Sequence, residues 1–321
     1  MATFQTYDSK GNRESLSDII KDISPEETPA LSNFGSDTCS STFVEWQTDA
    51  LAAANKDNAR KEGEDSALSA VNPTVRLGNY VQDSEVSFAI TNVQDKVKKA
   101  GRKSESAYQV ERAFRQIKID IEAGITTNNA AVAGDGSTAR KSAGLETFAW
   151  EVKSHGAGSP GGSTTSVSAG APVVAPVDGD TRAFDEALLK AVILAGYDKG
   201  ARYKMALIPF KQKQIMAGAG FPGVAATRMN AEVGKKSMAG IIGAVDVYVS
   251  DNGAIMLTPD AHMRNRTVLL VDPECVKTSF LQSYEHEELA KTGPATKHRV
   301  GANWTLVVSN PRGIGKIADL S

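Results

Sequence analysis

Between Trp46 and Phe88 the chain carries a stretch that no compact core can absorb. It opens with "FVEWQTDALAAA" and closes with "YVQDSEVSFAI", both able to form strands. The middle, "NKDNARKEGEDSALSAVNPTVRLGN", is charged and poor in large apolar residues. A structureless loop of that length is unusual inside a compact domain and is usually functional or disordered. The alternative is a two-stranded hairpin from Trp46 to Phe88, whose arms of roughly 20 residues would each reach ~65 Å. A compact chain of 321 residues has a radius of gyration of only ~20 Å, so such an arm projects beyond its own body. An isolated hairpin is marginal in water and needs a surface to lie on. A neighbouring copy of the same chain can supply one; a solvated loop is the other reading that this composition allows.

The clearest single element follows. Val97, Ala100, Ser104, Ala107, Val110, Phe114, Ile117, Ile121 and Ile125 recur at steps of three and four, and "TNVQ" from Thr91 to Gln94 fits a capping box. The spacing predicts one long helix over 91–127, of order 45 Å. Its early turns hold Lys96, Lys98, Lys99, Arg102 and Lys103, a cluster able to meet phosphates without reading bases, or simply a solvated face. The formal net charge of −2 gives no long-range pull toward nucleic acid, so any contact with a polyanion is local.

Upstream, residues 1–45 read as an extended arm with one short helix. Leu16, Ile19, Ile20 and Ile23 stand at helical spacing behind Ser15 or Ser17, and Pro25 and Pro29 stop it. Downstream, "GAGSPGGSTTSVSAGAPVVAP" (156–176) has neither charge nor aromatic ring and reads as a long loop or loose hairpin. From Thr181 the chain turns compact. Thr181 can cap a helix carrying Phe184, Leu188, Val192 and Ala195, "YKMALIPF" is a buried strand, and a helix starts behind Pro209. "VDVYVS", "AIMLTP", "TVLLVD" and "KTSFLQSY" follow as strands, "NWTLVVSN" is another, and "PRGIGKIADLS" is a short end piece. The pattern is α+β rather than regular βαβ units.

Catalytic constellations are hard to build from these residues. "SYEHEELAKTGPATKHRV" (283–300) holds His286 beside Glu287 and Glu288, but Ala290 stands where HExxH zinc motifs need their second histidine. His262, His286 and His298 have no spacing that forces them together, and no phosphate-cradling glycine motif or GxSxG elbow is present. Cys39 and Cys275 are too few for a disulfide framework. No export signal or membrane span is visible. The expectation is a non-enzyme without cofactor or metal, its 283–300 segment a charged turn leading into "NWTLVVSN".

Several stretches then line up with a known family. "DISPEETP", "EWQTDALAAA", "VRLGNYVQ", "KKAGRKSESAYQ", "STARKSAGLETF", "VDVYVSDNG", "LVDPECVKTSFL", "ELAKTG" and "GIGKIADL" occur in an order that resembles the major capsid proteins of tailed bacteriophages, which have the Hong Kong 97 capsid fold. The resemblance implies an N-terminal arm (1–45), an extended β-hairpin loop (46–90), a peripheral domain with a long spine helix and the Gly/Ser-rich loop (91–180), an axial domain (181–282), and a C-terminal return to the peripheral domain (283–321). The uncharged stretch 156–176 departs from the family pattern.

It implies a subunit that self-assembles into pentamers and hexamers of an icosahedral head around double-stranded DNA, a virion component put together in the bacterial cytoplasm. Scaffolding, portal and decoration proteins would be its partners, with no membrane. Lys56, Arg60, Lys61, Glu62, Glu64 and Asp65 would touch a neighbouring subunit through weak ion pairs, Lys98, Lys99, Arg102 and Lys103 would face DNA, and His286, Glu287, Glu288 and Lys291 would lie at an interface. Some capsids of this fold join a loop lysine to an asparagine; Lys56 or Lys61 would be the donor, with no asparagine identified. The competing readings are an encapsulin-like nanocompartment shell and, from another class, a metal-dependent hydrolase using His286, Glu287 and His298.

Overall fold

The computed structural model describes residues 24–63, 65, 73–98, 101, 102, 104–159, 167, 168, 170–216, 221, 246–291 and 293–321. The helix expected over Ser15–Ile23 lies outside them, as do Glu64, Lys99 and Lys103. In chain order the elements are α1 (Pro29–Asn33), β1 (Gly35–Thr38), β2 (Phe43–Thr48), β3 (Val75–Tyr80) and β4 (Gln82–Thr91). Next come α2 (Asn92–Lys96), α3 (Glu105–Thr126), α4 (Leu145–Phe148), β5 (Val152–Ser154), β6 (Val167–Ser168) and β7 (Ala171–Pro172). The rest are α5 (Glu186–Asp198), β8 (Met205–Pro209), α6 (Phe210–Met216), β9 (Val247–Ser250), β10 (Gly253–Asp260), β11 (Val268–Val271), β12 (Val276–Leu289), β13 (Ala295–Val308) and β14 (Ile314–Ile317).

Two sheets organise these elements. One has six strands in the order β5-β14-β11-β8-β10-β9, the other four in the order β1-β12-β13-β4. "MALIP" and "VLLV" are apolar at every position because both faces of the six-stranded sheet are covered. Met205, Leu207, Leu269 and Val271 point into one core, while Ala206, Ile208, Val268 and Leu270 point into the other. Period-2 alternation thus divides one sheet between two hydrophobic clusters.

The helix expected over 91–127 is two helices. Thr91 caps α2 by accepting the Gln94 N–H, as the capping-box reading requires, but Val97 leaves helical geometry (φ −68°, ψ 136°). Gly101 adopts φ 76° and Ser104 caps α3 afresh. The early members of the apolar period had nothing to bury against: Val97 is 54% exposed. Like charges three or four residues apart, such as Lys98 and Arg102, also oppose a continuous helix. The 22 residues of α3 make a rod of about 33 Å, and Ile117, Ile121 and Ile125 are fully buried along it. Each contributes on the order of 1.5–3 kcal/mol. The helix settles close to β13 because Gly124 lacks a side chain; a Cβ there would stand 2.9 Å from the Trp304 ring.

Among the described residues, the projecting segment is paired at its base. β2 and β3 match Phe43 with Tyr80 through Thr48 with Val75, and "QDSEVSFAIT" belongs instead to β4, which runs beside β13 in the four-stranded sheet. Among the described residues the expected long arms show six residue pairs, because the alternation at their far end serves a different partner strand. Near the C-terminus two further boundaries shift. β12 begins at Val276 and continues through "SYEHEEL", so the expected charged turn is mostly strand and the change of sheet precedes 282. "GIGKI" is no end piece: β14 is wholly buried between β11 and β5. α5 starts after Asp185, whose side chain accepts the Leu188 N–H, rather than at Thr181. Within 156–176, β6 and β7 form a two-residue hairpin whose Gly170 carbonyl accepts the Gly78 N–H (2.7 Å).

Asn79 fastens the hairpin base to the body. Its side-chain amide donates to Leu306 O (2.8 Å) and Ser142 Oγ (3.0 Å), while its oxygen accepts from Ala143 N (2.9 Å), all fully buried. Asn79→Leu should destabilise the fold by about 2–4 kcal/mol, because several buried backbone groups lose partners that each cost ~1–3 kcal/mol to leave unmet. Urea unfolding monitored by tryptophan fluorescence checks this; a change below ~0.5 kcal/mol would show that the amide is not a fastener.

Candidate assembly surfaces

Residues 49–63, after β2, lie outside every sheet. Residues 49–63 are exposed throughout, with Leu51 99% accessible. Lys56, Arg60, Lys61, Glu62 and Asp65 all sit on this exposed run. Gly63 closes the described loop with φ 79°. Within it, Asn55 accepts the Asp57 N–H (3.0 Å) and Asp49 accepts from Ala50 (2.8 Å), both local contacts. The opposite strand end carries Val75, 59% exposed.

The basic cluster falls on the break between α2 and α3. Lys98 is exposed there. Arg102 is committed elsewhere: its Nε donates to Glu105 Oε2 at 2.6 Å, and its guanidinium lies 5.0 Å above the Tyr108 ring. Glu105 in turn accepts from Gln109 Nε2 (2.8 Å). This is a clamp on the first turn of α3, and its cation has a partner already.

On the long β12–β13 pair the charges are partly spent inside the subunit. Glu287 faces Arg299 in register, with its carboxylate 3.5 Å from the guanidinium. Arg299 also pairs with Glu85 and, at 3.5 Å, with Asp83, both from β4. Glu288 lies 3.5 Å from Lys291. Arg299 organises this face, yet its ordinary sequence context gave no cue that three strands would bring acids to it. His286 Nε2 lies 3.0 Å from His298 Nδ1, the rings stacked at 28°. Spacing alone did not demand that meeting; the antiparallel register makes it. Among the described residues no group of three or more His, Cys, Asp or Glu is placed to hold a metal, so His262 does not complete a triad with them.

A buried ionic network was not foreseen from the sequence. Asp319 is fully buried with φ 62° and accepts the N–H groups of Gly156 (2.9 Å) and Gly179 (2.8 Å), with His155 Nδ1 at 3.4 Å and Arg266 at 3.5 Å. Burial works against its charge, but the two N–H donors and His155 hold it below the usual carboxylate range. His155 is pushed down to about 4, first by burial and then by Lys316. Lys316, donating to the Glu146 carbonyl at 3.0 Å, is pushed down to about 8, chiefly by burial. Arg264 bridges Glu146 (3.3 Å) and Asp178 (2.6 Å). No local spacing marks residues this far apart in the chain as partners.

Glu122, on the buried face of α3, accepts the N–H groups of Ala30 (2.6 Å) and Leu31 (2.8 Å) at the start of α1. It supplies the cap that Thr28 does not, since Thr28 makes no side-chain cap bond. Burial raises it to about 7, against the pull of those two donors. Tyr284 nearby is pushed up to about 12, mainly by burial and secondarily by Glu122.

A two-sheet body with a spine helix and an unsupported loop defines a class, the shell subunit of the Hong Kong 97 type, and solved capsid structures share the fold. The Cyanophage A-1(L) capsid asymmetric unit matches with a TM-score of 0.66 at 12% identity, covering 98% of both chains. A chain of Mycobacterium phage Bobi gives 0.60 at 12% identity over 99% of each, and the capsid of an empty GTA particle gives 0.60 at 12% over 99% and 98%. The family model described as SU10 major capsid protein matches residues 3–321, and the chain belongs to that family. It is 33% identical over 119 residues to the major capsid protein of Escherichia phage Phieco32, a match spanning 37% of this chain and 34% of that relative.

Glu122 generates a pH prediction with a definite sign. Its folded pKa is raised from 4.5 to about 7, so between those values the folded chain holds a proton that the unfolded chain has released. Its contribution to stability therefore falls as pH rises from ~4.5 to ~7, by at most ~3 kcal/mol. Glu122→Gln stays neutral and removes that slope. Unfolding free energies of both proteins at pH 5 and pH 8 test it; parallel pH profiles would exclude the buried, proton-retaining carboxyl.

Proposed function

We propose that this chain is the repeating subunit of an icosahedral phage head, joining copies of itself into pentamers and hexamers that enclose double-stranded DNA. The observation that carries the reading is the loop after β2: its base is held by Asn79 inside the core, while residues 49–63 are exposed, Leu51 99% accessible among them. Natural chains do not keep a fastened, unsupported arm without a surface for it, and an adjacent copy is the surface a closed shell always provides. In this reading residues 24–45 belong to the N-terminal arm and the β2–β3 segment is the extended loop. The four-stranded sheet with α3 is the peripheral part and the six-stranded sheet the axial part.

Lys56, Arg60, Lys61, Glu62 and Asp65 then make many weak contacts, each worth ~0.2–1 kcal/mol and reversible during assembly. Val247 and Val249 on the edge strand β9 and Met256 on the adjoining β10, all half or more exposed, suit contacts around the symmetry axes. Lys98 remains for non-specific phosphate contact, with Arg102 acting as the α3 clamp. Scaffolding, portal and decoration proteins are the partners such a head would use, and assembly in the bacterial cytoplasm is where it would happen. An encapsulin-like compartment and a hydrolase are not favoured, since the family match is to a phage capsid protein.

Deletion of residues 55–63 should leave the thermal unfolding midpoint within ~2 °C, because the segment serves no core, yet abolish closed shells in negative-stain micrographs. Shells of normal size and yield from the deletion would remove the loop from assembly. Separately, Lys98→Gln in assembled heads should lower retained DNA, whereas Arg102→Gln should chiefly lower stability through the lost Glu105 contact. Quantifying packaged DNA and melting temperature for both variants separates these roles, and equal effects would contradict the division.

A further inference from the structure

The histidine pair on β12 and β13 remains unused by this function. We propose that His286 and His298 form a two-nitrogen chelate for a borderline transition-metal cation such as Zn²⁺, Ni²⁺ or Cu²⁺, with water in the remaining positions. Two ligands on one edge of a metal with ~2.0–2.1 Å bonds stand about 2.9 Å apart in an octahedron and about 3.3 Å in a tetrahedron. The observed separation of His286 Nε2 and His298 Nδ1, 3.0 Å, falls in that interval. The backbone does not have to move, because the two residues sit diagonally across adjacent antiparallel strands, Glu288 opposite His298 and Val300 opposite His286.

The two rings play different parts. His298 is buried and leans on Phe88, ring centroids 5.2 Å apart, so its orientation is fixed before any cation arrives. His286 is exposed and leaves the pair open to water. Neighbouring acids are engaged, Glu288 with Lys291 and Glu287 with Arg299, so the donor set is neutral imidazole. That set favours Zn²⁺, Ni²⁺ and Cu²⁺ over Mg²⁺ or Ca²⁺, which want oxygen. A bound cation ties β12 to β13 near the outer end of their hairpin, beyond the two register shifts between Phe280 and Glu285. There a cross-strand link adds to the backbone pairing that already joins the two strands.

Untagged, chelator-treated protein titrated with Ni²⁺ at pH 7.5 by calorimetry should take up one saturable equivalent per chain, and its thermal midpoint should rise with Ni²⁺ but not with Mg²⁺. His286→Ala, at an exposed position, should fold normally and bind at least tenfold more weakly, with no Ni²⁺-dependent thermal shift. His262→Ala should bind as the parent does. Absence of saturable uptake by the parent, equal affinity in His286→Ala, or loss of binding in His262→Ala would each overturn the proposal.

Discussion

Everything in this subunit hangs on one sheet being buried on both faces. β8 and β11 send alternate residues into two different hydrophobic clusters, so neither core can form without the other. The sheet needs its last strand as well: β14 fills the place between β11 and β5, and the residues beyond it carry Asp319 into the body. Chain closure therefore rests on long-range pairing, β14 with β5 and β11. Covering both faces requires α5 on one side and the α3 assembly on the other, which ties the two halves into a single mechanical unit suited to carrying load in a shell.

Burying charge in that unit carries a cost, and the network around Asp319, Lys316 and Glu146 shows how it is met. Isolated buried ions cost several kcal/mol each. Here Asp319 is offset by two backbone N–H groups and neighbouring cations, and Arg264 spans two acids. Such a network contributes little net stability compared with apolar packing, but removing one member leaves the others uncompensated. It thereby specifies where the chain's end sits relative to the loops at 156 and 179.

The periphery is built on the opposite logic. Arg299 gathers Asp83, Glu85 and Glu287 on an accessible face, and the β12–β13 ladder is interrupted by register shifts after Phe280 and Gln282. Register shifts and charges of this kind discourage indiscriminate edge pairing between subunits. In the proposed assembly, contacts between copies fall to the loop after β2 and to the exposed apolar residues of β9 and β10. Weak, plural and directional contacts suit a shell that must correct errors as it grows.

Much of this was legible from local pattern. The isoleucines of α3, the strands "MALIP" and "VLLV", the Thr91 cap and the unsupported loop follow from periodicity and side-chain chemistry that act over a few residues, and the order of short words carried the resemblance to capsid proteins. Where the reading failed, the deciding partner was distant. Alternation in "QDSEVSFAI" identified a strand but could not say that it pairs with β13 rather than with β2. An apolar period through Val97 could not reveal that no surface waits there, and "GIGKI" shows no sign of being central until β11 and β5 flank it. Local pattern marks most of the strands, the buried face of α3 and the exposed run after β2, because those follow from backbone preference and the spacing of apolar side chains. Only the tertiary structure decided strand partners, the break before α3, the meeting of His286 with His298 and the burial of Asp319 and Lys316, because each depends on contacts between residues far apart in the chain, whose energies no local pattern encodes.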